Sequence, residues 1–454
     1  MRTFLRSSTA ARALFLVTFA VPLLSATSSY SAGYGLRESS TVAMGSAYAG
    51  ASATAGDASF LSYNPASLGG VRDCDSSLSL VGIFPTSSAV YGSTTSAGTP
   101  AGGLGTPADF ISDAAVPDLA ARMRLSPNWA AGIAIYAPWG LSTDYPAGWA
   151  GRYYARETKL LTVNITPTIS YQPSSHLTVA AGLQVQYAKG TLSSATDIGT
   201  LGASLAIPGS VPGAQDGSAK LTGDDWALGF TLGAMADVAD GVSVGLSYHS
   251  AVHHTLEGPL TFTLDSAGVG AAIRSATGLF ADTAAQAKLT TPATVNFGTR
   301  WMLGDGWTGL FELDWTNWSG FRELRVHAAN LAQPDDVTTA KWKDAWLVSL
   351  GLEYQPDPYW VVRAGVALDQ SPVPSATLEP RIPDADRTWI SAGVTYRASE
   401  ALDLSLSLSH LFLPGRNVAL TAVQPGNMLR GNLTGTTKSS VNVVGLQLNY
   451  RLPR

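Results

Sequence analysis

Histidine side chains are the first candidates for chemistry in this sequence, because imidazole nitrogens bind metal ions and transfer protons. His249 and His253 lie four positions apart in a segment of alternating polar and apolar residues, so a regular strand places both on one face. Four residues along a strand span about 13 Å, which is too far for two ligands of one ion. His254 follows His253 and points to the opposite face. We therefore expect no metal site, and no motif indicates another cofactor.

A serine paired with a histidine would indicate a second chemistry, ester hydrolysis by a lipase embedded in the outer membrane. Ser407 and His410 are three positions apart, and Ser409 and His410 are adjacent. Both separations are odd, and a regular strand places such pairs on opposite faces. We expect no enzyme and no catalytic residue, and an outer-membrane lipase is the alternative of a different class.

The composition is typical of strands with one lipid face and one mildly polar face. Charged residues make up 13% of the 454 residues, while hydrophobic residues make up an ordinary 45%. The formal net charge of −5 leaves no basic footprint for nucleic acid. The single cysteine, Cys74, excludes an internal disulfide.

The first residues have the pattern of an export signal. Met1 to Ala26 contains Arg2, Arg6 and Arg12 followed by an apolar run, and cleavage is expected before Ala32. No later run of about 18 apolar residues is long enough for a membrane helix. We predict a signal peptide over residues 1–31, a plug over 32–74 and a membrane β-barrel over 75–454.

The barrel prediction depends on a two-residue period and a regular rhythm of connections. Leu177 to Tyr187 and Leu402 to Leu408 alternate apolar residues with small or polar ones. Tight turns are expected at Pro127-Asn128, Pro173-Ser174, Asp240-Gly241, Asp305-Gly306, Pro356-Asp357 and Ser399-Glu400. Long loops are expected near 92–115, 146–157, 193–220, 257–286, 319–344, 371–386 and 414–437. Six turns alternating with seven loops predict about 14 antiparallel strands in the outer membrane of a Gram-negative bacterium.

Aromatic residues fall near the expected strand ends, as in the interfacial girdles of membrane barrels. The expected girdle residues are Tyr153, Tyr154, Tyr171, Tyr187, Tyr248, Trp315, Trp318, Trp346, Tyr354, Trp360, Trp389, Tyr396 and Tyr450.

The segment from Ala32 to Leu68 is rich in Gly, Ala and Ser and has too little apolar side-chain area to fold alone. We expect it to form a plug of short helices inside the barrel. A porin for small polar solutes is less consistent with such a plug, because porins keep open lumens.

The third expected strand, Ala131 to Tyr145, is interrupted by Ala137, Pro138, Trp139 and Gly140. Proline removes a ladder donor and glycine invites a bend, so pairing with a neighbouring strand should fail locally. A position in the root of a loop, just beyond the membrane, is the alternative for Pro138.

Several motifs, in order and spacing, resemble the outer-membrane long-chain fatty-acid and hydrocarbon transporters of the FadL type. They are Ala32-Gly33-Tyr34-Gly35-Leu36-Arg37-Glu38, Gly45 to Gly50, Asn64-Pro65-Ala66, Trp139 to Tyr145, His254 to Gly258, Trp315 to Trp318, Asp369 to Pro374 and Pro380 to Trp389. The resemblance covers essentially the whole mature chain.

The resemblance implies that apolar cargo is caught among the outer loops, passes to a pocket beside the mature N-terminus and leaves sideways through the kinked third strand. It implies a hatch or gate at Tyr34, Asn64, Pro65 and Ala66, and a lateral opening at Ala137, Pro138, Trp139 and Gly140. Leu36, Leu192 and Lys189 are its candidate ligand-pocket residues.

The expected cargo is a long-chain fatty acid or another apolar small molecule, and an aromatic or alkane hydrocarbon is the alternative within the same fold. Where the characterised fatty-acid members of the family place a basic residue, this chain reads Leu192-Ser193-Ser194, with Lys189 as the nearest cation. The family usually ends in an aromatic residue, whereas this chain ends Leu452-Pro453-Arg454. The other expected partners are outer-membrane lipid and lipopolysaccharide, and one copy of the chain suffices.

Overall fold

The computed structural model describes residues 33–452, so the expected signal peptide and the last two residues lie outside the described part. Nineteen strands form one sheet. They are β1 Cys74–Thr94, β2 Ala114–Arg124, β3 Trp129–Tyr136, β4 Gly140–Asp144, β5 Glu157–Ser174, β6 Leu177–Asp197, β7 Asp216–Ala239, β8 Val242–His249, β9 Val252–Thr263, β10 Thr283–Thr291, β11 Thr294–Gly304, β12 Trp307–Thr316, β13 Glu323–Ala328, β14 Asp336–Thr339, β15 Ala345–Tyr354, β16 Trp360–Asp369, β17 Arg387–Arg397, β18 Leu402–Leu420 and β19 Asn432–Arg451.

These strands make a closed antiparallel barrel of 14 wall strands. Three wall strands are each interrupted once, at β3/β4, β8/β9 and β10/β11, and β13 with β14 forms a hairpin in an outer loop. The first strand pairs with the last along its whole length, from Asp75 opposite Arg451 to Thr94 opposite Asn432. Closure leaves the wall without an edge strand, as a lipid environment requires.

The predicted alternation of short turns and long loops is confirmed. Each of the six predicted turns joins consecutive wall strands, and long connections occupy the other end of the barrel. Several strands extend further into the loops than expected, since β6 runs to Asp197 and β7 begins at Asp216. The outer loops are therefore partly built from strand continuations.

Helices are few and short. The plug contains α1 Thr41–Met44 and three 3-10 helices at Ala51–Ala53, Ala58–Ser62 and Pro65–Gly70; the outer loops contain α2 Ile198–Ser204, α3 Val269–Thr277 and 3-10 turns at Trp318–Gly320 and Ser375–Thr377. Among residues 33–452, no helix has the length and apolarity needed to cross a membrane.

The plug sequence explains its short helices. Ser40, Asp57 and Asn64 each cap a helix by accepting a hydrogen bond from a backbone N–H two or three residues later. Pro65 occupies the first position of its helix, where a missing N–H costs nothing. Almost every plug residue is buried within the barrel, so the wall supplies the packing surface that the segment lacks.

The outer surface carries aromatic pairs, but some predicted girdle residues lie inside. Trp360 packs on Tyr396 with ring centroids 4.7 Å apart, and both are exposed on the outer face. In contrast Tyr153, Tyr154, Trp318 and Trp389 are buried, so their assignment to the girdle was wrong. Trp389, for example, shares the inward face of β17 with buried Arg387 and Ser391.

Candidate functional site

An aromatic box surrounds Tyr34, close to the start of the described chain. The Tyr34 ring lies 4.7 Å from Trp318, 5.7 Å from Trp342, 5.9 Å from Phe321 and 6.0 Å from Trp139 between centroids. Its hydroxyl donates to the carbonyl of Thr290 at 3.1 Å. Edge-to-face contacts of this kind hold a ring without covalent attachment, so another apolar group could replace it.

The backbone beside Tyr34 pairs with the interrupted strand. Leu36 N donates to Pro138 O at 2.8 Å, and Gly140 N donates to Tyr34 O at 2.8 Å. The plug thereby satisfies polar groups that the proline and the bend remove from the wall ladder. The predicted hatch residue Tyr34 and the predicted kink residues Pro138 and Gly140 thus form one unit.

A gap in the ladder lies beside this unit. β2 pairs with β3 from Leu119 opposite Ile135 to Arg124 opposite Ala130, whereas Ala114–Asp118 have ladder partners only on β1 in the described part. Contact resumes further out, where Ile111 forms a bridge with Thr143. The wall is therefore interrupted between β2 and the β3/β4 break.

A cavity with a volume of about 560 Å³ lies among the outer loops. We call it the outer groove; its apolar lining includes Leu192, Leu221, Leu260, Phe262, Phe280, Leu324, Val326, Val337, Met428 and Leu429. A smaller cavity of about 40 Å³ shares Leu192, Leu324 and Arg381 with the groove and is also lined by Phe321 and Trp342. The groove therefore leads inward to two walls of the aromatic box.

Arg381 lines both of these cavities and is 5% exposed. Its guanidinium donates to Ser193 O at 3.3 Å and Thr158 Oγ1 at 3.4 Å, and no carboxylate among residues 33–452 lies within ion-pair distance. Burial lowers the pKa of Arg381 from its usual value. Glu379 lines the same small cavity, and its negative charge opposes the effect of burial on the pKa of Arg381 without forming an ion pair with it. The guanidinium therefore has a carboxylate nearby and keeps donors free for a further acceptor.

A third cavity, which we call the inner cavity, has a volume of about 100 Å³ and lies on the other side of the box. Its apolar lining includes Leu36, Pro138, Trp139 and Trp318, and its polar lining includes Arg37, His249, Asn296 and Asp369. It shares Ser39, Ser62 and Tyr136 with a small space against Asp118–Ala120 and Ala134–Tyr136, beside the wall interruption. Tyr34 and its neighbours thus separate the outer groove from a space that reaches the gap.

A fourth cavity, of about 520 Å³, opens beneath the plug at the short-turn end and is lined by Arg300, Glu353, Arg363 and Asp403 among others. We call it the vestibule. Within the described part it shares no lining residue with the inner cavity or with the space at the gap. The plug separates the inner cavity and the space at the gap from the vestibule.

Asn64 connects the plug to two wall strands. Its Oδ1 accepts from Ala66 N, while its Nδ2 donates to Ser52 O at 2.7 Å, Ala234 O at 3.2 Å and Leu246 O at 3.4 Å. On β7, Gly233 lies so close to Asn64 and Pro65 that no side chain would fit. Asn64 therefore fastens the plug to β7 and β8, Pro65 packs against β7, and none of Asn64, Pro65 and Ala66 lines the inner cavity.

Replacing Asn64 by Asp should loosen the plug. Aspartate keeps the cap but removes every side-chain donation and places negative charge beside carbonyl oxygens, at a cost of about 2–3 kcal/mol. Hydrogen exchange of the amides from Ser52 to Ala66 should accelerate by roughly a hundredfold. Ser62→Ala, which removes a hydrogen bond made within the plug, is the control. Unchanged exchange in Asn64→Asp would contradict the locking role.

Charged groups also hold the stretch from Gly33 to Glu38. Arg37 forms an ion pair with Asp314 on β12, and Gly33 N donates to Asp384 Oδ2 at 3.1 Å. Asp384 in turn pairs with Arg387, which also contacts Asp369 at 3.3 Å. Asp384 is therefore the loop residue that pairs with Arg387, and the neighbouring Asp386 is exposed.

Glu38 is fully buried beside Arg37, and its Oε2 accepts from the Arg37 backbone N–H at 2.8 Å. Burial raises the pKa of Glu38 to about 7, against the opposing effects of Arg37 and Arg387. The folded plug therefore prefers the protonated acid, and folding loses stability as pH rises from the unfolded-state pKa toward 7.

Glu38→Gln should flatten this pH dependence. Between pH 5 and 8 the wild-type protein should lose up to about 3 kcal/mol of stability that the variant retains, because Gln at this position has no proton to lose, whereas Glu38 must ionise while buried. Chemical unfolding in detergent at pH 5, 6, 7 and 8 measures the difference. Parallel pH profiles for the two proteins would contradict the role of Glu38.

The predicted pocket residues lie in three places. Leu36 lines the inner cavity and Leu192 lines the outer groove, so they belong to opposite sides of the aromatic box. Lys189 is exposed on the outer face of β6, with the same parity as exposed Leu183. The structure does not bring Lys189 to any of these cavities, because its strand position points away from the lumen.

The serine and histidine candidates for ester hydrolysis also lie apart from each other. Ser407 Oγ donates to Thr41 O inside the barrel, whereas His410 Nδ1 lies 2.8 Å from Asn442 Oδ1 on the outer face. The sequence Gly241 to Gly245 has Gly-x-Ser-x-Gly spacing, but its Ser243 lies on β8 and donates to Asp237. None of these serines contacts a histidine in the described part.

The prediction that His249 and His253 share a face was wrong. His249 faces inward, with Nε2 3.3 Å from Tyr63 O, whereas His253 is exposed. Thr231 of β7 pairs with His249 of β8, and Asp224 of β7 pairs with Glu257 of β9. The two pairs are seven residues apart on β7 but eight residues apart on β8 and β9. One extra residue is therefore accommodated between β8 and β9. Residues 33–452 contain no cluster of histidine, cysteine or acidic side chains suited to a metal ion.

Sequence reasoning did not find Arg381 or the aromatic partners Phe321 and Trp342 of Tyr34. Arg381 lies within the motif Pro380 to Trp389, so its charge was a usable signal. The inward-facing wall glycines such as Gly365, which the plug backbone at Ser46 approaches closely, were a second signal. A glycine on the polar face of a strand marks such an approach.

A closed 14-stranded barrel with an internal plug, an apolar outer groove and an interrupted wall defines a plugged transport barrel of the outer membrane. The chain belongs to the outer membrane protein transport protein family (OMPP1/FadL/TodX), whose model matches residues 22–452. Its similarity to the family extends over nearly the whole chain.

Individual proteins show the same relationship. The long-chain fatty acid transport protein of Escherichia coli K12 is 28% identical over 88% of this chain and 92% of its own length, and the 47 kDa outer membrane protein of Pasteurella multocida is 26% identical over 93% and 95%. The crystal structure of a Pseudomonas aeruginosa FadL homologue matches with a TM-score of 0.84 and 23% identity, covering 92% of this chain and 99% of that one. The Pseudomonas putida toluene transporter TodX matches with a TM-score of 0.67 and 18% identity over 93% and 99%. The curated relatives that carry a functional name are transport proteins and not enzymes.

Proposed function

We propose that this protein takes up long-chain fatty acids across the outer membrane by passive diffusion and releases them sideways through the interruption beside β3 and β4. The observation that supports this choice of cargo is Arg381, a buried guanidinium at the inner end of an apolar groove that forms no ion pair with a carboxylate of residues 33–452. An acyl chain suits the groove, and its carboxylate suits the guanidinium. A pure hydrocarbon would offer the guanidinium no hydrogen-bond acceptor.

Capture needs no energy source. Each methylene that leaves water for an apolar groove gains about 0.8 kcal/mol, so a long acyl chain binds from dilute solution. The outer groove, with Leu192 on its wall, serves as the first site, and the aromatic box around Tyr34 is the next obstruction.

Gating follows from what Tyr34 occupies. Cargo that enters the box displaces the Tyr34 ring and frees the backbone pairing between Leu36 and Pro138. The inner cavity then connects the box to the gap beside Asp118, where cargo passes between β2 and the break at Ala137–Trp139. The Asn64 lock keeps the remaining plug in place, so the lumen stays closed to ions.

Binding measurements on the purified protein test the cargo. Native mass spectrometry with palmitate, hexadecanol and hexadecane should show the tightest complex with palmitate, since the three differ only in the end group. Equal retention of all three would favour a hydrocarbon channel. A large steady conductance in planar bilayers would instead indicate an open pore, and release of fatty acid from phospholipid would indicate a lipase.

A further inference from the structure

A buried aspartate lies at the edge of the wall interruption. In the described part, β2 pairs with β3 as far as Leu119 opposite Ile135, and Asp118 is the first residue of β2 beyond that pair on the side of the gap. Its side chain points into the lumen, because it shares a strand face with buried Val116 and Ala120. Asp118 is only 6% exposed. Its carboxyl group therefore lies inside the barrel where the gap begins.

The carboxyl group of Asp118 lacks partners. Within residues 33–452, neither of its oxygens makes a hydrogen bond. Its polar neighbours on the plug are Ser39 and Glu38. The Ser39 hydroxyl has a single proton to donate, so it could serve only one of the two oxygens. Glu38 is itself buried and has an oxygen without a partner. An ionised carboxylate is strongly disfavoured at such a place, so Asp118 holds its proton.

The space in front of Asp118 is polar, and no cation of the described part lines it. Its polar lining consists of Ser39, Ser59, Ser62, Ser77, Ser79, Asp118 and Tyr136. The titratable groups around Asp118 are Glu38, Tyr48 and Tyr63 of the plug and Tyr136 of β3. Arg37 acts on the two plug tyrosines, but it is paired with Asp314 and does not line this space. A head group that enters here meets hydroxyls and a carboxyl group.

The two ends of the route described above therefore favour different charge states of a fatty acid. Arg381 suits the carboxylate, whereas at Asp118 a carboxylate would lie beside two buried acids, Asp118 and Glu38. A neutral carboxyl group both donates and accepts, so two such groups pair through two hydrogen bonds. The space has a volume of only about 10 Å³, so a head group can enter it only after the plug stretch beside Leu36 has moved.

We propose that Asp118 receives the head group at the exit and that the cargo leaves as the neutral fatty acid, an inference that rests on the lateral release proposed above. The hydroxyl of the fatty acid donates to one oxygen of Asp118, and the Asp118 hydroxyl donates to the carbonyl oxygen of the cargo. The proton that neutralises the cargo comes from water, and Asp118 keeps its own. A buried carboxyl group without a partner costs stability, and this role explains why the wall contains one.

Replacing Asp118 by Leu should separate binding from release. Uptake of labelled palmitate by cells should fall about tenfold, as expected for the loss of one or two neutral hydrogen bonds. Palmitate binding by native mass spectrometry should not change, because the outer groove shares no lining residue with the space at Asp118. The variant should resist chemical unfolding at least as well as the wild type, since it loses a buried group without a partner. Asp118→Asn should retain uptake, because an amide also pairs with a carboxylic acid.

Thr231→Val is the matched control for this substitution. Thr231 faces the lumen on β7, is fully buried, and has a hydroxyl without a partner in the described part of the chain. It lines none of the cavities described above. Its replacement should leave uptake at the wild-type rate. Wild-type uptake by Asp118→Leu would overturn the proposal, whereas a wild-type protein that takes up no palmitate would contradict the proposed function itself.

A cargo that keeps its charge tests the neutral form without any variant. The head group of hexadecanesulfonate stays ionised, so this lipid should bind the wild-type protein through Arg381 but enter cells at least about tenfold more slowly than palmitate. Native mass spectrometry measures the binding, and cells that lack the protein give the background of uptake. Uptake of the bound sulfonate at the rate of palmitate would show that an anion passes Asp118 and would overturn the proposal.

Discussion

Joining Leu36 to Gly140 by a disulfide should abolish uptake. Leu36 Cγ lies 3.5 Å from the position of a Cβ built on Gly140, and the two backbone segments already pair through Leu36 N to Pro138 O. Cysteines at these two positions, with Cys74 changed to Ser, therefore approach disulfide geometry with a small shift. The bond would hold the stretch beside Tyr34 against the kink and keep the box occupied.

Uptake of labelled fatty acid by cells measures this effect. Cells that carry the oxidised protein should take up no more labelled fatty acid than cells that lack the protein. Adding reductant to the same sample should restore uptake. Each single cysteine variant is a control, because neither can form the bond. Full uptake in the oxidised double variant would show that cargo passes without moving the Tyr34 segment.

Replacing Arg381 by Gln should weaken palmitate binding by about 10- to 100-fold, corresponding to ~1.5–3 kcal/mol for a hydrogen bond to a charged group. Glutamine keeps a polar group of similar length but removes the positive charge. Binding of hexadecanol should change little, because it carries no anion. The effect should therefore appear as a loss of discrimination between the acid and the alcohol.

Arg325→Gln provides the matched control for this prediction. Arg325 also lines the outer groove, but it already pairs with Glu323 and Asp335 at 2.8 Å and is exposed. Its replacement should leave palmitate binding near the wild-type value. Equal losses in both variants would indicate a general effect of groove charge, and no loss in Arg381→Gln would remove the basis for choosing an acid as cargo.

The wall was predictable because its determinants are local. Each short turn carries its own Pro, Gly, Asn, Asp or Ser signal, and a period of two residues fixes which face is apolar. The break at Ala137–Trp139 was predictable for the same reason, since a proline in a ladder acts at its own position. The plug was predictable because a segment of small residues cannot form a hydrophobic core of its own and must pack against another part of the chain.

The site was less predictable because it depends on contacts between distant segments. One extra residue between β8 and β9 moved His253 to the outer face, and no local signal marked it. Phe321 and Trp342 reach Tyr34 from an outer loop. Lys189 was close in sequence to Leu192, yet odd and even positions of a strand face opposite sides, so proximity along the chain was misleading.

Anomalous diffraction from a brominated fatty acid bound to the protein tests the route most directly. If cargo leaves sideways, bromine peaks should appear in the outer groove, beside the aromatic box and at the gap between Ala114–Asp118 and Ala137–Gly140. Peaks that instead continue through the plug into the vestibule lined by Arg300, Glu353 and Arg363 would contradict lateral release.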